Sequence, residues 1–521
     1  MRITGRVVGR AVWVVTLALA ASGLATPPSL GAQATPPSLG AQVIDDAEAR
    51  AAAATITAED LRERLSIVAH DSMGGRDTPS PGLRRTAEYI AGQFESFGLR
   101  PGAADGGWQQ EYPLTAMRAG DPADHQVTIE GPDGAWELEF GTDYLAQYES
   151  ASAEGSGDVV VYEVGADGPD VTGRIVAIRV TLDNLQQVFG GGLGAMLEGE
   201  PAGFLLSLDV PDSFLDRLRR FLDGERTTVG EPAESAAPVV YLVHSRLPAP
   251  VSALLSGAAD PSGWSAALRT RAEIRTETAP NTIGILDGSD PDLAGEYVVF
   301  SAHMDHLGID DDVAPGADSI FNGADDDGSG TVTIVELAEA FASLETRPRR
   351  SLVFLTVSGE ERGLLGSQWY SENPAVPLET TVANLNMDMV GRNWSDTIVA
   401  IGKQESTLGP LVESIAAAHP ELDMAVIDDL WPEESFYTRS DHYNFARKGV
   451  PILFFFNGVH QDYHQVSDEV ESIDYEKMSR IGKLVFYTGL AIAYDDEPPM
   501  WDADAYARVV EDADAAESES R

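Results

Sequence analysis

The chain lacks one residue type and has very little of another. Its 521 residues contain no cysteine, which excludes disulfide bonds and a lipid anchor attached through a thioether. Lysine occurs only at positions 403, 448, 477 and 483, so 31 of the 35 basic residues are arginine. With 84 acidic residues the formal net charge is −49. Such a charge repels phosphate groups and therefore excludes nucleic acid as a natural partner.

Two explanations fit this acidic composition. Proteins that work in concentrated salt carry many acidic residues and little lysine, because screening by salt relieves their self-repulsion. A GC-rich genome also favours arginine, alanine, glycine and aspartate. The sequence alone leaves both explanations open.

The first 25 residues have the pattern of a signal peptide. Arg2, Arg6 and Arg10 precede an apolar stretch at 11–21, and small residues follow it. The stretch is shorter than the roughly 20 residues that a membrane span needs, and no other run in the sequence approaches that length. We therefore expect a secreted or periplasmic protein; the alternative is a segment that stays uncleaved as an N-terminal membrane anchor.

Metal-binding and acid/base side chains follow four apolar runs in the second half of the chain. The runs lie at 297–300, 352–355, 382–387 and 452–456, and they lead into His303, the pair Glu360 and Glu361, Asp388, and a loop with His464. Continuous apolar runs are typical of parallel strands that are buried on both faces. Ligands of such sheets gather beyond the carboxyl ends of the strands. The sequence therefore predicts an α/β fold in which these side chains converge.

The residue types favour two zinc ions. Imidazole and carboxylate groups together suit zinc, and a catalytic zinc site keeps one position for water. We interpret His303 and Asp388 as ligands of one zinc, Glu361 and His464 as ligands of a second, and Asp326 as a carboxylate that bridges both. Two adjacent metals share one water, lower its pKa and polarise a carbonyl group, which are the two tasks of amide hydrolysis.

Two further carboxylates have predicted roles beside the metals. Glu360 adjoins the ligand Glu361 but points elsewhere, so it is the expected general base for the attacking water. Asp305 follows His303 by two residues and is expected to accept the second ring N–H of that histidine. Asp327 opens a glycine-rich turn before a predicted helix at 331–342.

The motifs that contain these residues resemble those of the co-catalytic di-zinc aminopeptidases, family twenty-eight of the metallopeptidases. The matching stretches are 301–308, 323–330, 358–367, 385–391 and 462–468. The resemblance implies a phosphorylase/hydrolase-like fold, which is a three-layer α/β sandwich with a mostly parallel twisted sheet. It places the ligands of the family on His303, Asp326, Glu361, Asp388 and His464, its base on Glu360 and its histidine-orienting aspartate on Asp305. It also implies that Tyr463 or Tyr437 hydrogen-bonds the tetrahedral intermediate, and we favour Tyr463.

Other polar residues near the motifs are given structural roles. His306 is interpreted as lining the pocket or forming a hydrogen bond at a strand end. Residues 440–442 are interpreted as a structural cap that mimics half of a serine triad. His460 precedes His464 by four residues, but the glycine and tyrosine nearby favour a loop over a helix.

The mature chain reads as a split catalytic domain with an insert. After the signal peptide at 1–25, residues 26–44 contain a tandem nine-residue repeat rich in proline and small residues, which indicates a spacer. The catalytic parts are predicted at 45–118 and 277–497, with helices at 58–71, 83–97 and 475–494. The β-rich insert at 119–276 resembles the protease-associated (PA) domain, and 498–521 is predicted to be a loosely ordered acidic tail.

These features predict an exported zinc exopeptidase that removes N-terminal residues from peptide substrates. One alternative is a carboxypeptidase-type member of the same fold, which would need a basic pocket; Arg392 and Arg439 are the only basic residues close to the motifs. Another alternative is a binding protein on an inactive peptidase scaffold, which the intact ligand set and Glu360 count against. Glutaminyl cyclases share the fold but use one zinc and lack the full bridging set.

Overall fold

The structure of the protein is a computed structural model that divides into two compact units. Of the described residues, 46–112 and 278–513 form the larger unit, and 113–277 form the smaller unit. The described residues are 46–165, 170–190, 199–233, 236–310, 312–314, 316–511 and 513. The predicted signal peptide and spacer, and the end of the predicted tail, lie outside them.

Helices dominate the first part of the larger unit. The elements are α1 (Asp46–Ala53), α2 (Ala58–Val68), α3 (Pro81–Ser96), β1 (Arg100–Pro101) and β2 (Gln109–Ala119), whose end belongs to the smaller unit. Local sequence explains where two helices begin. The Thr57 side chain accepts a hydrogen bond from the N–H of Asp60, and the Ser80 side chain accepts one from the N–H of Leu83. Both are N-terminal caps that satisfy otherwise free backbone donors.

The smaller unit contains parallel and antiparallel strands and three helices. Its elements are β3 (Gln126–Gly131), β4 (Gly134–Leu138), β5 (Tyr144–Gln147), β6 (Ser152–Tyr162), β7 (Ile175–Val180), α4 (Leu185–Gly190), β8 (Gly203–Leu208), α5 (Asp212–Asp223), β9 (Arg226–Val229), β10 (Val239–Val243), α6 (Ala249–Leu255) and β11 (Ser265–Leu286), whose last part belongs to the larger unit. Strands β6, β7, β8 and β10 run parallel, and β5 pairs antiparallel with β10. Strands β3, β4, β6 and β11 pair antiparallel. The predicted insert lies within this unit, and its resemblance to a PA domain stays a prediction.

Strands and helices alternate in the rest of the larger unit. The elements are β12 (Tyr297–His303), β13 (Gly308–Ile309), β14 (Ile320–Phe321), α7 (Gly330–Ala342), β15 (Ser351–Val357), α8 (Leu365–Glu372), β16 (Thr381–Asp388), β17 (Thr397–Ile401), α9 (Leu408–Ala418), β18 (Ala425–Ile427), α10 (His442–Ala446), β19 (Ile452–Phe456), α11 (Tyr475–Tyr494) and α12 (Ala503–Tyr506). The four apolar runs of the sequence are the strands β12, β15, β16 and β19. None of the helices in the described part of the chain is both long enough and apolar enough to cross a membrane.

The sheet of the larger unit has a parallel centre. Its strand order is β1-β11-β15-β12-β16-β19-β17-β18, and β15, β12, β16 and β19 are parallel to one another. In register, His303 lies opposite Val357, and Asp388 lies opposite Phe456. The carboxyl ends of the four central strands therefore meet at one edge of the sheet.

Helices cover both faces of this sheet. On one face, Phe341 of α7 packs against Phe300 and Phe354 of the strands and against Phe486 of α11. On the other face, Tyr370 of α8 and Phe445 of α10 belong to a buried cluster with strand residues such as Val353, Leu355 and Ile452. The arrangement confirms the predicted α/β class and explains why the strand sequences are apolar on both sides.

The prediction of a loosely ordered C-terminal tail is wrong for its first part. The indole N–H of Trp501 donates to the carbonyl of Gly449 at 2.9 Å. Val509 and Val510 are buried in the same cluster as Tyr370 and Phe445. Trp501, Val509 and Val510 thus pack residues 501–510 against the rest of the larger unit, and the N–H of Asp502 adds a hydrogen bond to the carbonyl of Glu405 at 2.8 Å.

Candidate metal centre

The strand ends bring the predicted residues together. His303 is the last residue of β12, and Asp388 is the last residue of the adjacent parallel strand β16. Glu360 and Glu361 follow β15 closely, and His464 lies in the loop after β19. The predicted base and the ligand candidates therefore lie at the carboxyl edge of the sheet, where ligands of α/β folds bind. With Asp326 included, there are five ligand candidates.

Asp326 lies between the two histidines. Its Oδ1 atom is 3.4 Å from Nε2 of His303, and its Oδ2 atom is 3.2 Å from Nε2 of His464. The carboxylate is buried, with a side-chain exposure of 5%. Each oxygen thus faces a different imidazole, which is the arrangement that a carboxylate bridging two cations requires.

Asp326 belongs to one of two groups of potential ligands, and the other group adjoins it. His303, Glu360 and Asp388 form one, and His306, Asp326 and Glu361 form the other; within each group the potential ligand atoms lie within 4.8 Å of one another. In the first group, Nε2 of His303 is 3.7 Å from Oδ1 of Asp388 and 4.0 Å from Oε2 of Glu360. In the second, Oε2 of Glu361 is also 3.1 Å from Nε2 of His464. Distance alone does not separate Glu360 from the ligands.

His306 is the residue whose place the sequence interpretation missed. Its ring is fully buried, and Nδ1 lies 2.7 Å from Oε1 of Glu361 and 3.8 Å from Oδ2 of Asp326. It therefore belongs to the second ligand group and is more than a lining residue. The available signal was its position three residues after His303, at a strand end that already delivers two polar side chains.

The chemistry of these groups fits metal cations. Oδ2 of Asp326 and Oδ1 of Asp388 are buried, and no described residue gives either a well-aligned hydrogen bond. Buried carboxylate oxygens without donors are costly unless a cation pairs with them.

The pKa values of the neighbouring imidazoles reflect the negative charge of these carboxylates. Despite burial, which opposes it, Glu360 and Asp388 raise the pKa of His303 well above its ordinary value. Burial also opposes the charged ring of His464, yet the nearby carboxylates of Asp326 and Glu361 raise its pKa to about 10.

The environment of Glu360 differs from that of Asp326. Burial raises the pKa of Glu360 well above its usual range, and Glu361, Asp441 and Asp388 add to the rise, although His303 opposes it. Burial also acts on Asp326, but His303 and His464 outweigh it and hold its pKa below the usual range. A carboxylate that stays charged suits a cation, but a raised pKa does not by itself mark the base, because burial also raises the pKa of the candidate ligand Asp388.

Backbone hydrogen bonds hold the loop of Asp326. The carboxylate of Asp327 accepts from the N–H groups of His303 at 3.1 Å and of Gly330 at 2.8 Å. Oδ2 of Asp468 accepts from the N–H groups of Asp325 at 3.0 Å and Asp326 at 3.1 Å. Hydrogen bonds thus fix the backbone on both sides of Asp326, which limits where its side chain can point.

Glycine is required where this loop meets His306. Gly323 has φ of +54°, and a Cβ there would lie 2.5 Å from the ring of His306 and 2.3 Å from the carbonyl oxygen of Asp326. Any side chain would push the ring and the loop apart. The glycine in the motif is therefore explained by close packing as well as by its backbone conformation.

Ser440 orients Asp388, which the sequence interpretation did not foresee. Its hydroxyl donates to Oδ2 of Asp388 at 3.0 Å and accepts from the amide of Asn386 at 3.2 Å. Nε2 of His442 is instead 2.8 Å from the carbonyl oxygen of Tyr437. The segment 440–442 is therefore no part of a serine triad, and its serine leaves Oδ1 of Asp388 facing His303.

Arg76 connects the ligand loops to the N-terminal part of the unit. The side chain is fully buried and donates to the carbonyl oxygens of Met304 at 2.9 Å, Gly323 at 2.9 Å and Val68 at 3.1 Å, as well as to that of Asn322. Met304 and Gly323 belong to the loops of His303 and Asp326. One guanidinium therefore fixes both loops at once.

A cavity opens onto the ligands, and the empty space in and around it, open solvent included, is about 360 Å³. Its floor is acidic and its walls are mostly apolar. It is lined by Asp326, Glu360, Glu361, Asp388, Met389, Phe436, Arg439, Ser440, Phe454, Phe456, Val459 and Tyr463. Tyr463 is thus at the cavity, with its ring stacked on that of His464 at 3.8 Å. The alternative, Tyr437, packs into apolar clusters and does not line the cavity.

The chain is similar to known proteins in both sequence and fold. Residues 281–489, which contain all the candidate ligands, match the model of peptidase family M28. Leucine aminopeptidase 1 of Penicillium rubens is 32% identical over 186 residues, which are 33% of this chain and 46% of that protein. Leucine aminopeptidase 1 of Paracoccidioides brasiliensis strain Pb03 is 31% identical over 209 residues, 38% of this chain and 52% of that protein. The chain thus matches about half the length of these relatives.

The fold is also similar to that of a protein whose structure has been solved. An aminopeptidase from Aneurinibacillus sp. strain AM-1 has a TM-score of 0.50 and 19% sequence identity, with 86% of this chain and 97% of that chain covered. At this identity the likeness concerns the fold alone. Segment 281–489 of the chain is therefore similar in sequence to peptidase family M28, and the fold is similar to that of this aminopeptidase.

Proposed function

We propose that the protein is a zinc-dependent aminopeptidase that hydrolyses the first peptide bond of peptides with a free N-terminus. The observation that carries this proposal is Asp326, whose two oxygens face the imidazoles of His303 and His464 on opposite sides. Its relatives include proteins named leucine aminopeptidase.

Five residues would hold two zinc ions, and a sixth lies beside them. His303 and Asp388 would hold one ion, Glu361 and His464 the other, and Asp326 both; His306 lies close enough to join the second set. Bound zinc would supply a Lewis acid for the carbonyl group and make water more acidic. Imidazole and carboxylate ligands are the types that zinc accepts.

The protein's own groups would move the proton. Glu360, whose side chain is 12% exposed at the cavity, would accept a proton from the attacking water and pass it to the leaving amine. Burial raises the pKa of Glu360 well above its usual range, which strengthens its affinity for a proton. Tyr463 would donate a hydrogen bond to the tetrahedral intermediate, because its ring adjoins His464 at the cavity.

Export is a separate part of the proposal. It is supported by the basic and apolar pattern of residues 1–25, which predicts a secreted or periplasmic location. Amino-terminal sequencing of the protein recovered from the medium or periplasm of an expressing cell would find it processed near residue 25. A full-length protein retained in the membrane fraction would instead support the uncleaved anchor.

A substrate screen tests the activity. Aminoacyl amides, dipeptides and N-acylated peptides should be compared at equal concentration with zinc present. We expect hydrolysis of compounds with a free amine and none of N-acylated compounds. Release of the C-terminal residue from blocked peptides would replace the proposal with the carboxypeptidase-type alternative, and zinc binding without any turnover would favour a binding protein.

A further inference from the structure

Arg439 is the only basic residue among those that line the cavity of the metal centre. The other charged groups there are Asp326, Glu360, Glu361 and Asp388. Arg392, the second basic residue near the motifs, is held by Asp462 at 2.7 Å and does not line the cavity. Among the described lining residues, a negatively charged part of a substrate therefore has Arg439 alone as a cationic partner.

Most of the hydrogen-bonding capacity of Arg439 is free. Its Nη1 atom lies 3.4 Å from the carbonyl oxygen of Glu434 and 3.5 Å from Oε2 of the same residue. No described residue accepts a hydrogen bond from Nε or Nη2. These two atoms form one edge of the guanidinium fork, which matches the two oxygens of a carboxylate.

The guanidinium is also held in place. Its carbon atom lies 4.7 Å from the centroid of the Phe436 ring, and that ring is part of the cavity wall. Stacking on an aromatic face restricts a long side chain and keeps its donors pointed along the wall. The side chain is 44% exposed, so an incoming group can reach it.

We infer that Arg439 is a specificity-determining residue that binds a carboxylate of the substrate. This inference rests on the proposed peptidase function and names a substrate class for it. The carboxylate has two possible sources, which share the same chemistry. It is either the side chain of an acidic first residue or the C-terminal carboxylate of a dipeptide.

Four compounds distinguish the sources. The p-nitroanilides of glutamate and leucine compare an acidic with an apolar first side chain. The dipeptide Leu-Gly and its C-terminal amide compare the presence and absence of a terminal carboxylate. The selectivity for each pair is the ratio of kcat/KM values, measured at fixed ionic strength because salt screens exposed charges.

The main variant is Arg439→Met, which removes the charge but keeps an apolar stem over Phe436. Loss of a charge-assisted bidentate hydrogen bond should reduce one of the two ratios by about 10-fold or more, mainly through KM. Glu434→Gln removes the carboxylate that competes for Nη1, so it should raise the same ratio. Arg508→Met is the matched control, because Arg508 is an exposed arginine paired with Glu405 and lies outside the cavity.

The outcomes separate this inference from the proposed function. A fall in the first ratio assigns the acidic side chain, and a fall in the second assigns the terminal carboxylate; either supports Arg439 as the carboxylate partner. Two unchanged ratios in Arg439→Met overturn the inference while the peptidase stands. If the wild-type protein turns over none of the four compounds, the peptidase proposal fails. In that case Kd values are measured by calorimetry for the same four compounds. The same two ratios, now of Kd values, then test Arg439.

Discussion

The backbone N–H of Glu360 donates a hydrogen bond to Oδ1 of Asp305 across 3.3 Å. The backbone carbonyl of the same aspartate lies 3.3 Å from Nδ1 of His303, whereas its Oδ1 is 3.7 Å from that nitrogen. The closer partner of the histidine is thus the carbonyl oxygen and not the carboxylate. The carboxylate of Asp305, which was predicted to accept the ring N–H of His303, instead accepts the N–H of Glu360, so Asp305 connects the proposed base with a proposed ligand.

Glu360 and Glu361 are adjacent glutamates with different proposed roles. Glu361→Gln removes a ligand charge, so zinc affinity should fall by more than the 10- to 100-fold typical of changes outside the coordination sphere. Glu360→Gln keeps the shape but cannot accept a proton, so kcat should fall by about 10² or more while zinc content and KM stay near wild type.

Zinc content and steady-state kinetics of the two variants check this assignment. Each variant serves as the control for the other, since the substitution is chemically the same. Loss of zinc in Glu360→Gln with zinc retained in Glu361→Gln would make Glu360 the ligand. That outcome is a real alternative, because Glu360 lies within ligand distance of His303 and Asp388.

Asp326 is expected to hold both metals. Asp326→Ala removes the oxygens that face His303 and His464, so both zinc ions should be lost and activity should disappear. Metal analysis after dialysis measures the zinc content, with Glu433→Gln as an exposed acidic control. A variant that retains one tightly bound zinc would show that the carboxylate does not bridge.

The sequence predicted the strands and their polar ends well. The apolar runs were readable because strands covered on both faces are apolar throughout, and the parallel register then brings His303 and Asp388 to one edge. The helix predicted at 475–494 coincides with α11 (Tyr475–Tyr494). These features depend on local pattern, which a single sequence contains.

Features that depend on side-chain direction or on distant contacts were not readable. His306 and Tyr437 lie next to motif residues, but the direction of a side chain in a loop depends on φ and ψ and on packing. His464 itself has φ of +56°, a conformation that no sequence rule predicts for histidine. The contacts of Arg76 with Met304 and Gly323 join residues more than 200 positions apart, so no local pattern reveals them.

His442 should make the fold sensitive to acid. Its Nε2 faces the carbonyl of Tyr437, and its Nδ1 is buried without a partner among the described residues. Burial lowers the pKa of His442 to about 3 from an ordinary value of 6.5. Below pH 6.5 this histidine therefore binds a proton in the unfolded chain, whereas in the folded chain it does so only near pH 3. The free energy of unfolding is therefore highest above pH 6.5 and decreases as the pH falls through the window from 6.5 to 3.

The measurement is the free energy of unfolding of wild type and His442→Gln between pH 3 and 8, with a chelator present in both. Glutamine keeps an N–H for Tyr437 but does not titrate. In the window, the stability of wild type relative to the variant should fall by about 1.4 kcal/mol per pH unit as the pH decreases. A difference that does not change with pH would show that the ring is protonated in the fold.

Salt should separate the two explanations of the acidity. If the net charge of −49 is an adaptation, sodium chloride should raise the unfolding midpoint steadily up to molar concentration. The Debye length falls to about 3 Å at 1 M, so self-repulsion is then largely screened. Potassium glutamate at equal ionic strength controls for effects specific to chloride. A flat or falling midpoint favours a genomic bias in composition.

Arg76 should support both stability and metal binding, and Arg350 should support stability alone. Both arginines are fully buried and donate to backbone carbonyls. Arg76→Met would leave the carbonyl of Met304 without this donor, at about 1–3 kcal/mol for a buried group, and the carbonyl of Gly323 with the N–H of Gly328 in place of two donors. Because these carbonyls belong to the loops of His303 and Asp326, zinc affinity should fall as well.

Arg350→Met is the matched control for that change. Arg350 immediately precedes β15 (Ser351–Val357), whereas Glu360 and Glu361 follow its other end, so about seven residues of strand, roughly 20 Å, separate it from the metal centre. We expect both variants to lower the unfolding midpoint, but only Arg76→Met to lower the zinc affinity of the folded protein. Titration with a competing chelator at a temperature where both variants are folded makes this comparison. Equal zinc affinities in the two variants would mean that the ligand loops hold their positions without the guanidinium of Arg76.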